Sequence, residues 1–126
     1  MTGGGRAALA RWAPEQSAAF AEVESVAAAS VDDRTLELCR DRVASLLGAG
    51  ASSLDDWRSS PDVDDRERAL LAFVEQFVFS VSSLGDEEVD ALLEHESAEH
   101  LHEISNVVWA LDLGTRLDLV AAAVLG

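Results

Sequence analysis

The sequence predicts an all-α fold, and three observations carry that expectation. Apolar residues recur at intervals of three and four through most of the chain. Capping residues stand where those apolar runs begin, and no stretch alternates with period two over a useful length. A chain of 126 residues is long enough for one hydrophobic core and too short for two. The expected architecture is a compact bundle of five to six helices forming a single domain over 13–126, preceded by a flexible N-terminus, residues 1–12.

The N-terminal "MTGGGRAALARW" is glycine-rich, so it is expected to be loose. Pro14 suits a first helical turn, and the run that follows places Phe20, Val23, Val26 and Ala27 at helical spacing. Ser30 and Asp32 offer caps for a second helix from about Asp33 to Leu47. Its apolar stripe is Leu36, Cys39, Val43, Leu46 and Leu47, which puts Cys39 on the buried side as a core residue. Gly48 and Gly50 end that helix, because glycine accepts left-handed backbone angles.

Asp64 with Glu67 forms a capping box opening a long helix to about Ser83. Leu70, Leu71, Phe73, Val74, Phe77, Val78, Phe79 and Val81 make it apolar around most of its circumference, as expected of a central helix. A short helix after Gly85 carries Asp86, Glu87 and Glu88 at its N-terminal end, where the helix dipole favours acids. Ser97 caps the last segment, in which Gly114 marks a kink or break. "VDDR" occurs at both 31–34 and 63–66; the residues after it do not align, so two helices capped in the same way explain it.

Nine basic residues, all arginine, face 24 acidic ones, for a net charge of −15. Such a field repels phosphate backbones and anionic lipid, so neither nucleic acid nor a membrane surface is an expected partner. Glu75 and Gln76 interrupt the longest apolar run, and the N-terminus lacks the apolar core of a signal peptide. A soluble, cytoplasmic protein is expected. One cysteine permits no intramolecular disulfide. His95, His100 and His102 with Glu96, Glu99 and Glu103 form the densest group of potential ligands, but Ser97 splits them between two elements. They are read as surface or capping side chains, and neither a metal nor a cofactor is expected.

Three stretches in order, "DDRTLELCRDRVASLLGA", "DDWRSSPDVDDRERALLAFVEQFV" and "LLEHESAEHLHEISNVVWALDLGTRL", resemble the carboxymuconolactone decarboxylase and alkyl-hydroperoxidase-D-like superfamily. The resemblance runs from about Phe20 to the C-terminus, with Trp57-Arg58 before Pro61 its most specific part. It implies an all-helical domain that forms homo-oligomers. Redox-active members resemble Glu-x11-Cys-x2-Cys-x3-His, in which the cysteine pair cycles between dithiol and disulfide while Glu and His relay protons. Carried over without a gap, Glu37 matches the glutamate, Ala49 and Ser52 fall on the two cysteines, and Asp56 falls on the histidine. Gly48 and Trp57 are nine positions apart, so most of the helix that carries the motif is missing. The family's Asn-x-x-Asn-Arg is represented only by Asp112, Thr115 and Arg116.

A lone Cys39, ten residues before the expected slot, cannot replace a vicinal pair, so thiol peroxidase or disulfide reductase chemistry is not expected. Glu37 is the one weak catalytic candidate, and its simplest role is a solvated residue beside Arg34 or Arg40. Ser52 lacks both an elbow context and a histidine. The expected function is a non-catalytic oligomeric subunit with a structural, binding or regulatory role. The alternatives are a cysteine-independent enzyme of lactone-decarboxylase type with an inter-subunit site near Glu37, and a partner of a cysteine-bearing paralogue in a mixed oligomer. The apolar central and C-terminal helices are the expected homo-oligomer interface.

Overall fold

A computed structural model describes residues 4–49, 56–80 and 85–125. Among them stand six helices and no strand: α1 (Gly4–Trp12), α2 (Pro14–Ala29), α3 (Asp33–Leu46), α4 (Asp65–Ser80), α5 (Asp86–Leu93) and α6 (Ala98–Leu125). The all-α expectation holds.

The helix starts follow the capping residues. The Asp32 carboxylate accepts the Thr35 amide at 3.1 Å and the Thr35 hydroxyl at 2.6 Å, opening α3. Asp64 and Glu67 form the expected reciprocal box: the Glu67 amide donates to Asp64 at 2.7 Å and the Asp64 amide to Glu67 at 3.1 Å. Ser97 accepts the His100 amide at 3.1 Å at the start of α6. Each bond satisfies an amide that has no partner within its own helix. At the other end of α3, Gly48 takes a φ of 72°.

Two ion pairs fix how α3 and α4 run. Arg34 meets Glu67 at 2.8 Å and Arg42 meets Glu75 at 3.1 Å. Both pairs are 33 residues apart in sequence, and an equal offset repeated along two helices means that they are parallel. The same holds for α4 and α6: Arg66 near the start of α4 pairs with Glu96 just before α6, while Arg116 on α6 donates to the Val78 carbonyl at 3.0 Å. Between these three parallel helices lies the core, with Leu38, Cys39 and Val43 from α3, Leu70, Phe73 and Val74 from α4, and Ile104, Val107 and Val108 from α6. Leu92 of α5 and Trp57 and Val63 of the α3–α4 connection close it.

α1 and α2 lie outside that core and pack on α6 and on each other. Two expectations are corrected here. The N-terminus expected to be loose is helical from Gly4 and buries Gly5 and Ala8, because small side chains let α1 come very close to α6. A Cβ on Gly5 would stand 1.8 Å from the Asp118 carbonyl oxygen. Gly114 does not break α6, which runs from Ala98 to Leu125. A Cβ there would meet Glu24 Oε2 at 2.5 Å, so the glycine makes room for a side chain from α2. In α2 no residue counts among the buried ones, and Val26 is 67% exposed. The end of the long helix expected at Ser83 lies outside the described residues, as do Val81, Gly50 and Ser52.

Candidate functional site

The positions matched by family resemblance are partly brought together. Ala49 is half-buried and lines an open cleft of about 280 Å³ between α3 and α6, and Thr115 lines the same cleft. Ser52 lies outside the described residues, and Asp56 is exposed. Glu37 is exposed on α3 and faces none of the clefts described below. It lies within Coulomb range of Arg34, but Arg34 gives its Nε to Glu67.

The charged groups in the Ala49 cleft come from four helices: Arg6 of α1, Glu24 of α2, Arg40 of α3 and Asp118 of α6. Arg6 of α1 donates both terminal nitrogens to Glu24 of α2, at 2.6 and 3.0 Å, and its backbone amide donates to Asp118 of α6 at 2.9 Å. The hydrogen bond to Glu24 raises the Arg6 pKa further, so the guanidinium stays charged. Its face also lies 5.1 Å from the centre of the Phe20 ring. One arginine held between two carboxylates is a structural tie, and it joins α1, α2 and α6 at Gly114.

Cys39 is fully buried, and burial pushes its thiol pKa up to about 12. A neutral, inaccessible thiol is neither a nucleophile nor a redox partner. Of the three histidines, His95 and His102 are exposed, and His100 stands 3.6 Å from Glu96. Among the described residues no three His, Cys, Asp or Glu side chains are grouped to hold a metal ion. Glu96 instead belongs to a network that ties three helix N-termini together. Arg66 binds Glu96 through Nε and donates through Nη2 to Thr35 Oγ1 at 2.8 Å, with Asp32 at 3.9 Å. The hydrogen bond from Thr35 is the largest influence holding the Asp32 carboxyl below its ordinary range. Farther along, Glu75 sits between Arg42 and Arg58; burial alone would raise its pKa, but the two arginines prevail and lower it.

A second open groove, of about 430 Å³, runs between α2 and α6. Its walls are Ala19, Val23, Val26 and Ala27 from α2 and the indole of Trp109 from α6. Trp109 is held edge-to-face against Phe20, with ring centres 6.3 Å apart. Glu22 and Glu103 are the charged side chains of the lining, and neither has a hydrogen bond or ion pair among the described residues.

Comparison with family models, curated proteins and solved structures finds no match to this chain. Sequence reasoning did not anticipate the α2–α6 groove, since the helical spacing of Val23 and Val26 does not say what faces them. It also missed the Arg6–Glu24–Asp118 tie. The available signal was Gly114, a glycine inside an otherwise helical run.

Proposed function

We propose that this chain is a non-catalytic binding protein built on a carboxymuconolactone decarboxylase and alkyl-hydroperoxidase-D-like scaffold without the thiol site, working in the cytoplasm. The observation that carries the reading is Cys39: the one thiol in the chain is fully buried, with its pKa pushed up to about 12. Glu37, the carboxylate matched to the family's proton relay, is exposed and apart from Ala49 and its cleft. The family assignment rests on the order of the three sequence stretches, and Ala49 and Thr115 in one cleft agrees with it.

Self-association, or pairing with a cysteine-bearing paralogue, is the expected assembly. Its support is an apolar surface on the last turns of α6, where Leu119, Val120 and Val124 are exposed. The central helix contributes less than the sequence suggested, since α3, α5 and α6 pack around α4; of its large apolar residues Phe79 stays clearly exposed.

The test is direct. Purified protein is assayed for peroxide consumption with a dithiol donor and for decarboxylation of carboxymuconolactone, and both rates are expected to equal the protein-free rate. Turnover that survives Cys39→Ala but is lost in Glu37→Gln would establish the cysteine-independent enzyme instead.

A further inference from the structure

We infer that the groove between α2 and α6 binds a small organic cation with an apolar body, such as an alkylammonium. The inference rests on the binding-protein reading above and adds the class of ligand.

Size, shape and charge point the same way. The groove's volume of about 430 Å³ lies within the roughly 300–1,000 Å³ typical of small-molecule sites. Its surface follows the usual composition of such sites, mostly apolar with a few polar groups to fix orientation. The apolar part is unusual for a surface: Val23 is 46% exposed, Val26 67% and Trp109 47%. Water covers these side chains unless something else does, and burying them under a ligand is favourable in proportion to the area removed.

Charge decides between ligand classes. The charged lining residues are Glu22 and Glu103, one from each helix, and no arginine lines the groove. An anionic ligand would face both carboxylates and the field of a chain with net charge −15. A second copy of the chain would bring another −15 and no basic residue of this groove to meet them. A cation meets one carboxylate from each helix, neither paired among the described residues, and the Trp109 indole beside apolar walls. Indole is the best aromatic partner for an ammonium group, and Phe20 fixes the Trp109 ring in place. Asn106 and Ser30 offer further hydrogen-bonding groups in the lining.

The test titrates octyltrimethylammonium into the intact protein by calorimetry, with octanoate as the chain-matched anion. Saturable one-to-one binding of the cation is expected, with no binding of octanoate over the same range. The double variant E22Q/E103Q is expected to bind about tenfold more weakly, the combined loss of two exposed charge contacts. D86N/E87Q on α5 removes the same charge elsewhere and is expected to change binding less than twofold. Trp109→Leu, a second route into the site, is expected to weaken the cation about fivefold. Equal weakening in both double variants would reduce the effect to net charge and overturn the inference. Equal binding of octanoate would overturn it too, as would a groove closed by a second copy, seen as a dimer that Val26→Glu converts to monomer with no cation binding. The binding-protein reading fails separately, on turnover of peroxide or lactone.

Discussion

Two glycines and one cysteine show how far single residues can be read. Cys39 was legible as a core position because Leu36, Cys39, Val43 and Leu46 form a one-sided stripe that needs no knowledge of the partner helix. Native protein is therefore expected to resist alkylation at Cys39 and to react rapidly once unfolded in urea; stoichiometric labelling under native conditions would show that the thiol is accessible. Gly114 was not legible, because a glycine inside a helical run can mark a break or a close contact. What decides here is Glu24, ninety positions away in sequence. The two glycines are expected to differ in cost. Gly5→Ala drives a Cβ into backbone, 1.8 Å from the Asp118 oxygen and 2.7 Å from the Ala122 nitrogen. It should destabilise by about 1–3 kcal/mol, capped by what α1 docking contributes. Gly114→Ala meets the movable end of Glu24 and gains about 1 kcal/mol of helix propensity, so it should cost less. Urea unfolding of both variants settles the order, and a larger loss for Gly114→Ala would contradict this account.

At the scale of elements, the two "VDDR" stretches turn out to be physically linked. Each caps its own helix, and each arginine crosses to the other cap: Arg34 reaches Glu67, and Arg66 reaches Thr35 and Asp32. Three parallel helices place three positive dipole ends side by side, and Asp32, Asp64, Glu67 and Glu96 supply the compensating negative charge. The sequence shows the caps because capping is local. It cannot show the crossing, which depends on α3 and α4 being parallel. The two arginines should not be equivalent. Arg34 is 46% exposed and Arg66 28%, and their partners Glu67 and Glu96 are buried alike, at 11% and 9% exposed. Without its arginine, however, Glu67 still accepts the Asp64 amide, whereas among the described residues Glu96 keeps only His100 at 3.6 Å and Thr35 loses a donor as well. Arg34→Gln should therefore cost under about 1 kcal/mol. Arg66→Gln, which strands a buried carboxylate, should cost about 2–4 kcal/mol. Equal losses in urea unfolding would argue against a special role for the Arg66–Glu96 pair. Glu75 adds a pH dependence of known sign. Its folded pKa lies below the ordinary 4.5, so the unfolded chain takes up the proton first as pH falls. The stability it contributes is full above that value and is lost as pH drops through the lower folded value. Glu75→Gln should flatten stability against pH in this acid range, and an unchanged slope would remove Glu75 from the account.

For the whole molecule, the surface left over is what points to function. Three helices share the core, while α1 and α2 pack mainly on α6 and each other. α6 therefore carries more apolar residues than the chain itself can cover, with Trp109 beside α2 and Leu119, Val120 and Val124 towards its end. Composition marks the C-terminal helix as apolar but cannot say which of its residues stay uncovered, because that depends on how few partners α2 acquires. Charge opposes closing the C-terminal surface by self-association, since two copies each bring −15. Salt screens that repulsion, shortening its reach from about 30 Å at 0.01 M to about 8 Å at 0.15 M, and leaves apolar burial intact. The apparent mass in solution should accordingly rise between about 0.02 and 0.5 M sodium chloride. Val120→Glu should keep the protein monomeric across the whole range. A mass independent of both salt and Val120→Glu would mean that this face of α6 is not where copies of the chain meet.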